Sequence, residues 1–243
     1  ADNTAIGNAA LDANTTASNN TAVGKDSLGA NTTGVGNSAV GKNSLAANTT
    51  GTVNAALGNS ALAANTTGAS NTGIGYNALT ANTTADNNVA VGSNALAANT
   101  TGTNNVMVGS SAGDAITTSS NNTGIGHDVL GANTSGDTNT AMGSTALNTN
   151  TTGAANTGIG FAALTANTTA SNNTAVGSEA LAVNTTGTGL TAVGKGTLDA
   201  NTTGNYNEAI GIDALTAVTT GSSNIGIGRG AAGSVTTQNN NVA

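Results

Sequence analysis

Side chains that could carry out catalysis or bind a metal are scarce in this chain. Its 243 residues include one histidine, His127, no cysteine, four Lys or Arg residues and eleven Asp or Glu residues. A serine or threonine nucleophile needs a neighbouring base, and a metal site needs several convergent His, Cys or carboxylate ligands. The carboxylates recur at no fixed coordinating spacing. The sequence therefore predicts no catalytic residue, no metal site and no cofactor, and we do not expect an enzyme.

Two short motifs look like functional signatures but have a simpler explanation. Gly-x-Gly triplets such as Gly73-Ile74-Gly75 occur in phosphate-binding loops, which also need a helix to follow them. Asn-x-Thr segments such as Asn48-Thr49-Thr50 match acceptor sites for N-glycosylation. Gly-Ile-Gly triplets and Asn-Thr-Thr segments each recur at separations that are multiples of one constant interval. A structural role in a repeat therefore explains them better than a bound phosphate or a glycan.

The constant interval is 17 residues. A glycine preceded by an aliphatic residue stands at Gly7 and Gly24 and continues at the same spacing to Gly228, which makes 14 copies without an insertion or deletion. We call each copy a coil and number its positions from the residue that opens it, an asparagine in nearly every coil. In the coil formed by residues 20–36, Asn20 is therefore position 1 and Gly24 is position 5.

A strict short repeat predicts a solenoid, because so small a unit can bury its apolar side chains only against its neighbours. Repeats of two helices need about 33 residues, and Gly, Asn and Thr are poor helix formers. Aromatic residues make up 1% of the chain and proline is absent, which suits a narrow core and strands that pair on both sides. We predict an all-β fold, a parallel β-solenoid (β-roll or β-helix) of about 14 coils, in a single domain over residues 1–243.

Four positions are expected to form stacked columns of side chains. Position 4, as at Val23, is aliphatic in every coil, and position 9, as at Leu28, is leucine in all coils but two. We expect both columns to fill the core. The glycine at position 5, as at Gly24, predicts either a turn with positive φ or a site where neighbouring atoms leave no room for a side chain. The position-13 threonine, as at Thr32, predicts hydrogen-bonded stacking at another corner.

Position 3 holds only alanine or glycine, with the exception of Met107. Strand alternation places it on the opposite side from position 4, so with position 4 in the core we expect position 3 to face outward. Side chains that face water need not be this small. The restriction predicts close contact with another copy of the chain, and a flat exposed strip or a tight internal corner are the alternatives.

Charged residues make up 6% of the chain, the net charge is −7, and most charges lie at variable turn positions. All four basic residues stand at position 6, where Tyr76, His127 and Phe161 also lie. These three side chains are the candidate contacts with a receptor, although isolated exposed aromatics are common in soluble proteins. So few cations disfavour nucleic acid or an anionic membrane as a partner. No apolar run is long enough to cross a bilayer, and we expect no membrane insertion.

Two coils depart from the pattern in the same way. Coils 105–121 and 224–240 lack the position-9 leucine and carry Ile116 and Val235 in place of the position-12 asparagine. We expect the added aliphatic side chain to refill the space that the leucine leaves.

The coil sequence resembles that of known fibrous proteins, as in Asn173-Thr174-Ala175-Val176-Gly177 followed by Ala180-Leu181 and Asn184-Thr185-Thr186-Gly187. It is similar to the head repeats of YadA-like trimeric autotransporter adhesins, and more similar to the repeats of bacteriophage tail-fibre proteins. The resemblance covers the whole chain. For the adhesins it implies a left-handed parallel β-roll that assembles as a homotrimer and binds cells or matrix. The period is longer in this sequence.

The leading hypothesis is a segment of a longer structural fibre that spaces or presents a binding tip, in a virion tail fibre or on a bacterial cell surface and hence extracellular. Its expected partners are other copies of the chain, in a homotrimer or filament, and a cell-surface glycan or protein receptor. A standalone glycan-binding or ice-binding β-solenoid is the alternative. Adjacent threonines at positions 13 and 14 would point to opposite faces of a strand, which argues against a two-column threonine array.

Overall fold

The computed structural model describes residues 2–243, and within them every regular element is a β-strand of three residues that spans positions 2–4 of its coil. The chain divides into two compact units, of which the first ends at Asn121 and the second runs from Asn122 to Ala243. The first unit contains β1 (Thr4–Ile6), β2 (Thr21–Val23), β3 (Ser38–Val40), β4 (Ala55–Leu57), β5 (Thr72–Ile74), β6 (Val89–Val91) and β7 (Val106–Val108). The second contains β8 (Thr123–Ile125), β9 (Thr140–Met142), β10 (Thr157–Ile159), β11 (Thr174–Val176), β12 (Thr191–Val193), β13 (Glu208–Ile210) and β14 (Ile225–Ile227).

Within each unit, every strand pairs in parallel with the strand of the next coil. The register joins equivalent positions, so that Thr72–Ile74 pairs residue by residue with Val89–Val91. Each unit is therefore a parallel β-solenoid in which one 17-residue coil supplies one strand. This confirms the fold class and the period predicted from the sequence.

The inner and outer sides of the strands are the reverse of what we expected. Position 3 is buried in every strand from β2 to β14, whereas position 4 is half-buried at Val23 and 51% exposed at Leu57. The position-9 leucines occupy the interior opposite position 3, and a Cβ added at Gly73 would lie 3.3 Å from Cγ of Leu62. Position 3 is small because this leucine leaves room only for alanine or glycine. The predicted core role of the Val23 column and the predicted contact of position 3 with another copy are therefore wrong.

The leucine column forms the core as predicted, and Leu28 is fully buried. Its backbone was not foreseen, because every leucine at position 9 has a positive φ, as Leu28 does at 50° and Leu79 at 53°. Left-handed backbone costs roughly 1–2 kcal/mol for a residue with a side chain. Burial of a leucine contributes about 1.5–3 kcal/mol, which offsets that cost coil by coil.

Position 5 combines both reasons for glycine that the sequence suggested. Gly24 has a φ of 133°, in a region that residues with side chains rarely adopt. A Cβ added at Gly24 would lie 2.7 Å from the carbonyl carbon of Gly41 in the next coil. The predicted turn and the predicted steric limit are both confirmed.

Two columns of buried asparagines join the walls of the coil. At position 12, Asn82 Nδ2 donates to Asn65 Oδ1 at 2.8 Å and to the carbonyl oxygen of Ala85 at 3.1 Å. At position 1, Asn71 Nδ2 donates to the same Ala85 carbonyl at 2.7 Å, and Asn71 Oδ1 accepts the backbone N–H of Asn88 at 2.9 Å. Buried amides are stable only when their groups are paired in this way. Asn48 and the other described position-12 asparagines after the first coil are buried too, so these Asn-x-Thr segments have the structural role predicted for them.

Coil 105–121 shows how the chain fills the space of a missing leucine. A Cβ added at Gly113 would lie 2.9 Å from Cδ1 of Ile116 and 3.1 Å from Sδ of Met107, and both of these side chains are fully buried. Ile116 refills the space as expected, and Met107 does so as well, which explains the one large residue at position 3. Ile116 has no amide to continue the asparagine column, and Asn99 Oδ1 is left buried without a hydrogen-bond partner.

Candidate interaction surfaces

The three aromatic candidates lie on the exposed turn that follows the position-5 glycine. Tyr76 and Phe161 are each 56% exposed, and His127 is exposed as well. Tyr76 belongs to the first unit, whereas His127 and Phe161 belong to the second and are separated by one intervening coil. Two coil steps place equivalent positions about 10 Å apart. The turn therefore presents single aromatic side chains rather than an aromatic cluster.

Two close contacts between titratable side chains on this turn join neighbours in sequence. Lys25 Nζ lies 3.6 Å from Asp26 Oδ2, and His127 Nδ1 lies 3.5 Å from Asp128 Oδ2, with all four side chains substantially exposed. Exposed pairs of this kind contribute little to stability because water screens them. Neither pair assembles further reactive groups around it.

A fourth aromatic side chain, Tyr206 at position 17, was missed by the sequence analysis. It is 66% exposed, and its ring covers Gly189 one coil earlier, where an added Cβ would lie 2.7 Å from Cδ1 of the ring. Gly189 has a left-handed backbone, but this alone does not require glycine, because Asn172 has a φ of 62° at the equivalent position of its coil. A glycine 17 residues before an aromatic residue was the signal available in the sequence.

The side chains at positions 2 and 4 form what we call the outer sheet face of each unit. Its position-4 column is Ile6, Val23, Val40, Leu57, Ile74, Val91 and Val108 in the first unit, and Ile125, Met142, Ile159, Val176, Val193, Ile210 and Ile227 in the second. All of these side chains are half-buried or exposed. Among positions 2 and 4 of the strands, Glu208 is the one charged residue. Such a continuous exposed aliphatic strip is unusual for a soluble monomer.

The side chains at positions 13 and 14 form a second surface, which we call the threonine face. Position 13 is threonine in every coil and position 14 is threonine in every coil but one, that of Ser135. In coil 54–70, Thr66 is half-buried and Thr67 is exposed. Both face outward because the chain bends here, so the expectation that they point to opposite faces of a strand is wrong.

The position-13 hydroxyls bond along the stack as predicted, and Thr32 Oγ1 donates to the carbonyl oxygen of Thr49 at 3.1 Å. Equivalent bonds are present in both units, at Thr66 and Thr151 for example. The outer sheet face and the threonine face belong to different walls of the coil, because positions 3 and 12 point inward from each and the leucine turn joins them. A contact that covers one face therefore leaves the other accessible.

In residues 2–243, no three His, Asp or Glu side chains are placed to hold a metal ion, and no cavity of ligand size is present. The same residues include no helix of the length and hydropathy needed to cross a membrane. Comparison with protein-family models, with curated proteins and with solved structures gives no match for this chain.

Proposed function

We propose that this chain is a structural segment of a fibre, built from several copies of itself, that spaces or presents a binding tip. The observation that carries the proposal is the outer sheet face. Seven strands extend over about 30 Å in each unit, and every one of them presents an aliphatic side chain at position 4. Leaving such a strip in water is unfavourable by about 25 cal/mol per Å² of apolar surface.

Other copies of the chain are the occupant that this face fits best. Each coil contributes one apolar side chain at position 4, so the position-4 columns of two copies can meet with apolar side chains against apolar side chains. The near absence of charge on the face removes the like-charge repulsion that would oppose such a contact. Three copies around one axis, as the resemblance to adhesin heads implies, would seal one face of each copy and keep the remaining surface in water.

The remaining surface suits a segment that is exposed outside the cell, in a virion tail fibre or on a bacterial surface. Charged residues are concentrated at the turns, where they keep an assembled fibre soluble. Tyr76, His127 and Phe161 are exposed on the turn at position 6 and remain the candidate contacts with a glycan or protein receptor.

Lysines on the outer sheet face are expected to separate the copies. Met142 and Ile210 are 44% and 45% exposed, so Met142→Lys together with Ile210→Lys leaves the solenoid core intact and places charge in the proposed contact. Burying an unpaired ammonium group is strongly unfavourable. We expect the doubly substituted chain to have the mass of one copy by light scattering, where the unchanged chain has the mass of several.

The matched control carries the same charge in the same two coils, on the turn. Ser144→Lys and Ile212→Lys stand at position 6, where Lys195 occurs naturally, and we expect this variant to keep the mass of the unchanged chain. An outer-face variant that assembles as well as the control would contradict the proposal. Circular dichroism of both variants checks that the fold is retained.

A further inference from the structure

We propose that the threonine face binds ice. This inference does not depend on the fibre assignment, because the proposed contact between copies uses the other wall of the coil. Ice presents hydrogen-bonding oxygens at a constant spacing on a flat surface. A protein surface can hold that lattice when its own polar and methyl groups repeat at a constant spacing, keep fixed orientations and carry no charge.

The spacing is set by the solenoid. Equivalent threonines in successive coils are separated by one parallel-strand step of about 4.8 Å, without an insertion in either unit. Each threonine presents one hydroxyl and one methyl group, so the position-13 column repeats the same pair of groups at every step, and the position-14 column does so at every step except that of Ser135. A repeating ligand can therefore meet many equivalent contacts at once, whereas a small ligand needs a concave site.

The orientation of the position-13 column is fixed by hydrogen bonds. Thr66 Oγ1 donates to the carbonyl oxygen of Thr83 at 3.0 Å, and the same bond measures between 3.0 and 3.3 Å from Thr15 to Thr100 in the first unit. A threonine side chain has one rotatable bond between heavy atoms, so this hydrogen bond selects its rotamer. Groups that are already ordered lose little conformational entropy when they bind.

The position-14 column supplies free hydrogen-bonding groups. Thr67, Thr84 and Thr101 are exposed, and nothing in residues 2–243 accepts or donates a hydrogen bond at their hydroxyls. Each hydroxyl can donate one hydrogen bond and accept two. Lattice water can therefore bond to this column without displacing any protein contact.

Charge is absent from this wall of the coil. No Asp, Glu, Lys or Arg occurs at positions 11–15 in any of the coils, although charged residues occur at the adjoining position 10, as at Asp12 and Asp199. Charged groups bind water strongly in their own hydration shells, which do not match a lattice. An uncharged array between charged turns is what lattice binding requires.

The test is uptake of the full chain into a slowly growing ice crystal, together with inhibition of ice recrystallisation. The variant carries Thr67→Lys, Thr101→Lys and Thr118→Lys at position 14 of three coils. The control carries Asn59→Lys, Ser93→Lys and Ser110→Lys at position 6 of the same three coils, where all three side chains are exposed. We expect the unchanged chain and the control to enter the ice and the threonine-face variant to be excluded from it.

Exclusion of the unchanged chain from ice would overturn the proposal, as would full uptake of the threonine-face variant. Light scattering of each sample distinguishes a failure of ice binding from a failure of the fibre proposal, because both sets of lysines lie outside the outer sheet face and should leave the oligomer mass unchanged. A loss of ice uptake at unchanged oligomer mass assigns the effect to the threonine face.

Discussion

Gly75→Ala is expected to destabilise the solenoid by about 3 kcal/mol or more, through backbone strain and contact with the next coil. Gly75 has a φ of 135°, and a Cβ added to it would lie 2.6 Å from the carbonyl carbon of Gly92. The atoms that it meets belong to the backbone, so no side-chain rotation relieves the contact. The coils must move apart. This weakens the hydrogen bonds from Gly75 N–H to the carbonyl oxygen of Leu57 and from Gly92 N–H to the carbonyl oxygen of Ile74, which are both 2.8 Å long in the unchanged chain.

Gly73→Ala in the same strand is the matched control. A Cβ added at Gly73 would lie 3.2 Å from the nearest atom, and the equivalent residues in the neighbouring coils are Ala56 and Ala90. We expect this variant to unfold within a few degrees of the unchanged chain when circular dichroism is followed on heating. Equal unfolding temperatures for Gly75→Ala and Gly73→Ala would contradict the close approach of position-5 glycines in successive coils.

Met107→Ala is expected to cost about 2–5 kcal/mol, the usual range for removing a large buried side chain. Met107 is fully buried and lies over Gly113, where the leucine is missing. Its loss leaves coil 105–121 without a large side chain at either position 3 or position 9. Thermal unfolding and amide hydrogen exchange of this coil measure the effect.

Restoring the common coil sequence is expected to recover that loss. Met107→Ala, Gly113→Leu and Ile116→Asn together return the leucine to the core and give Asn99 Oδ1 a donor, and an unpaired buried polar group costs about 1–3 kcal/mol. Gly113 has a φ of 59° and Leu96 one of 50°, so leucine fits the backbone. Gly113→Leu alone should instead destabilise, because the new side chain meets Met107 and Ile116. A triple variant no more stable than Met107→Ala would contradict this account of the coil.

The period and chemistry of the repeat were enough to predict the fold class, the leucine core and the hydrogen-bonded threonine column at Thr32. They were not enough to decide which side of the strand faces inward. Alternation places positions 3 and 4 on opposite sides whichever of them is buried. The deciding fact is the direction of Leu28, which depends on the left-handed backbone of the turn, and leucine is not a residue whose presence predicts such a backbone.

The candidate surfaces, like the fold, could be predicted from the sequence only in part. Exposure of Tyr76, His127 and Phe161 followed from their position after a turn glycine, where charged residues also occur. The outer sheet face could not be foreseen once its aliphatic column had been assigned to the core. The threonine face depended on a bend between positions 13 and 14, and two adjacent threonines such as Thr66 and Thr67 give no sequence signal that separates a bend from a strand.

The most direct test of the central claim, that copies of the chain cover the outer sheet face, is the mass of the purified protein in solution by light scattering. One copy has a mass of 22.8 kDa. We predict a mass of three copies that holds on dilution, since an aliphatic strip along every coil favours tight association. A mass of 22.8 kDa at all concentrations would contradict the claim, because the outer sheet face would then be stable in water without a partner.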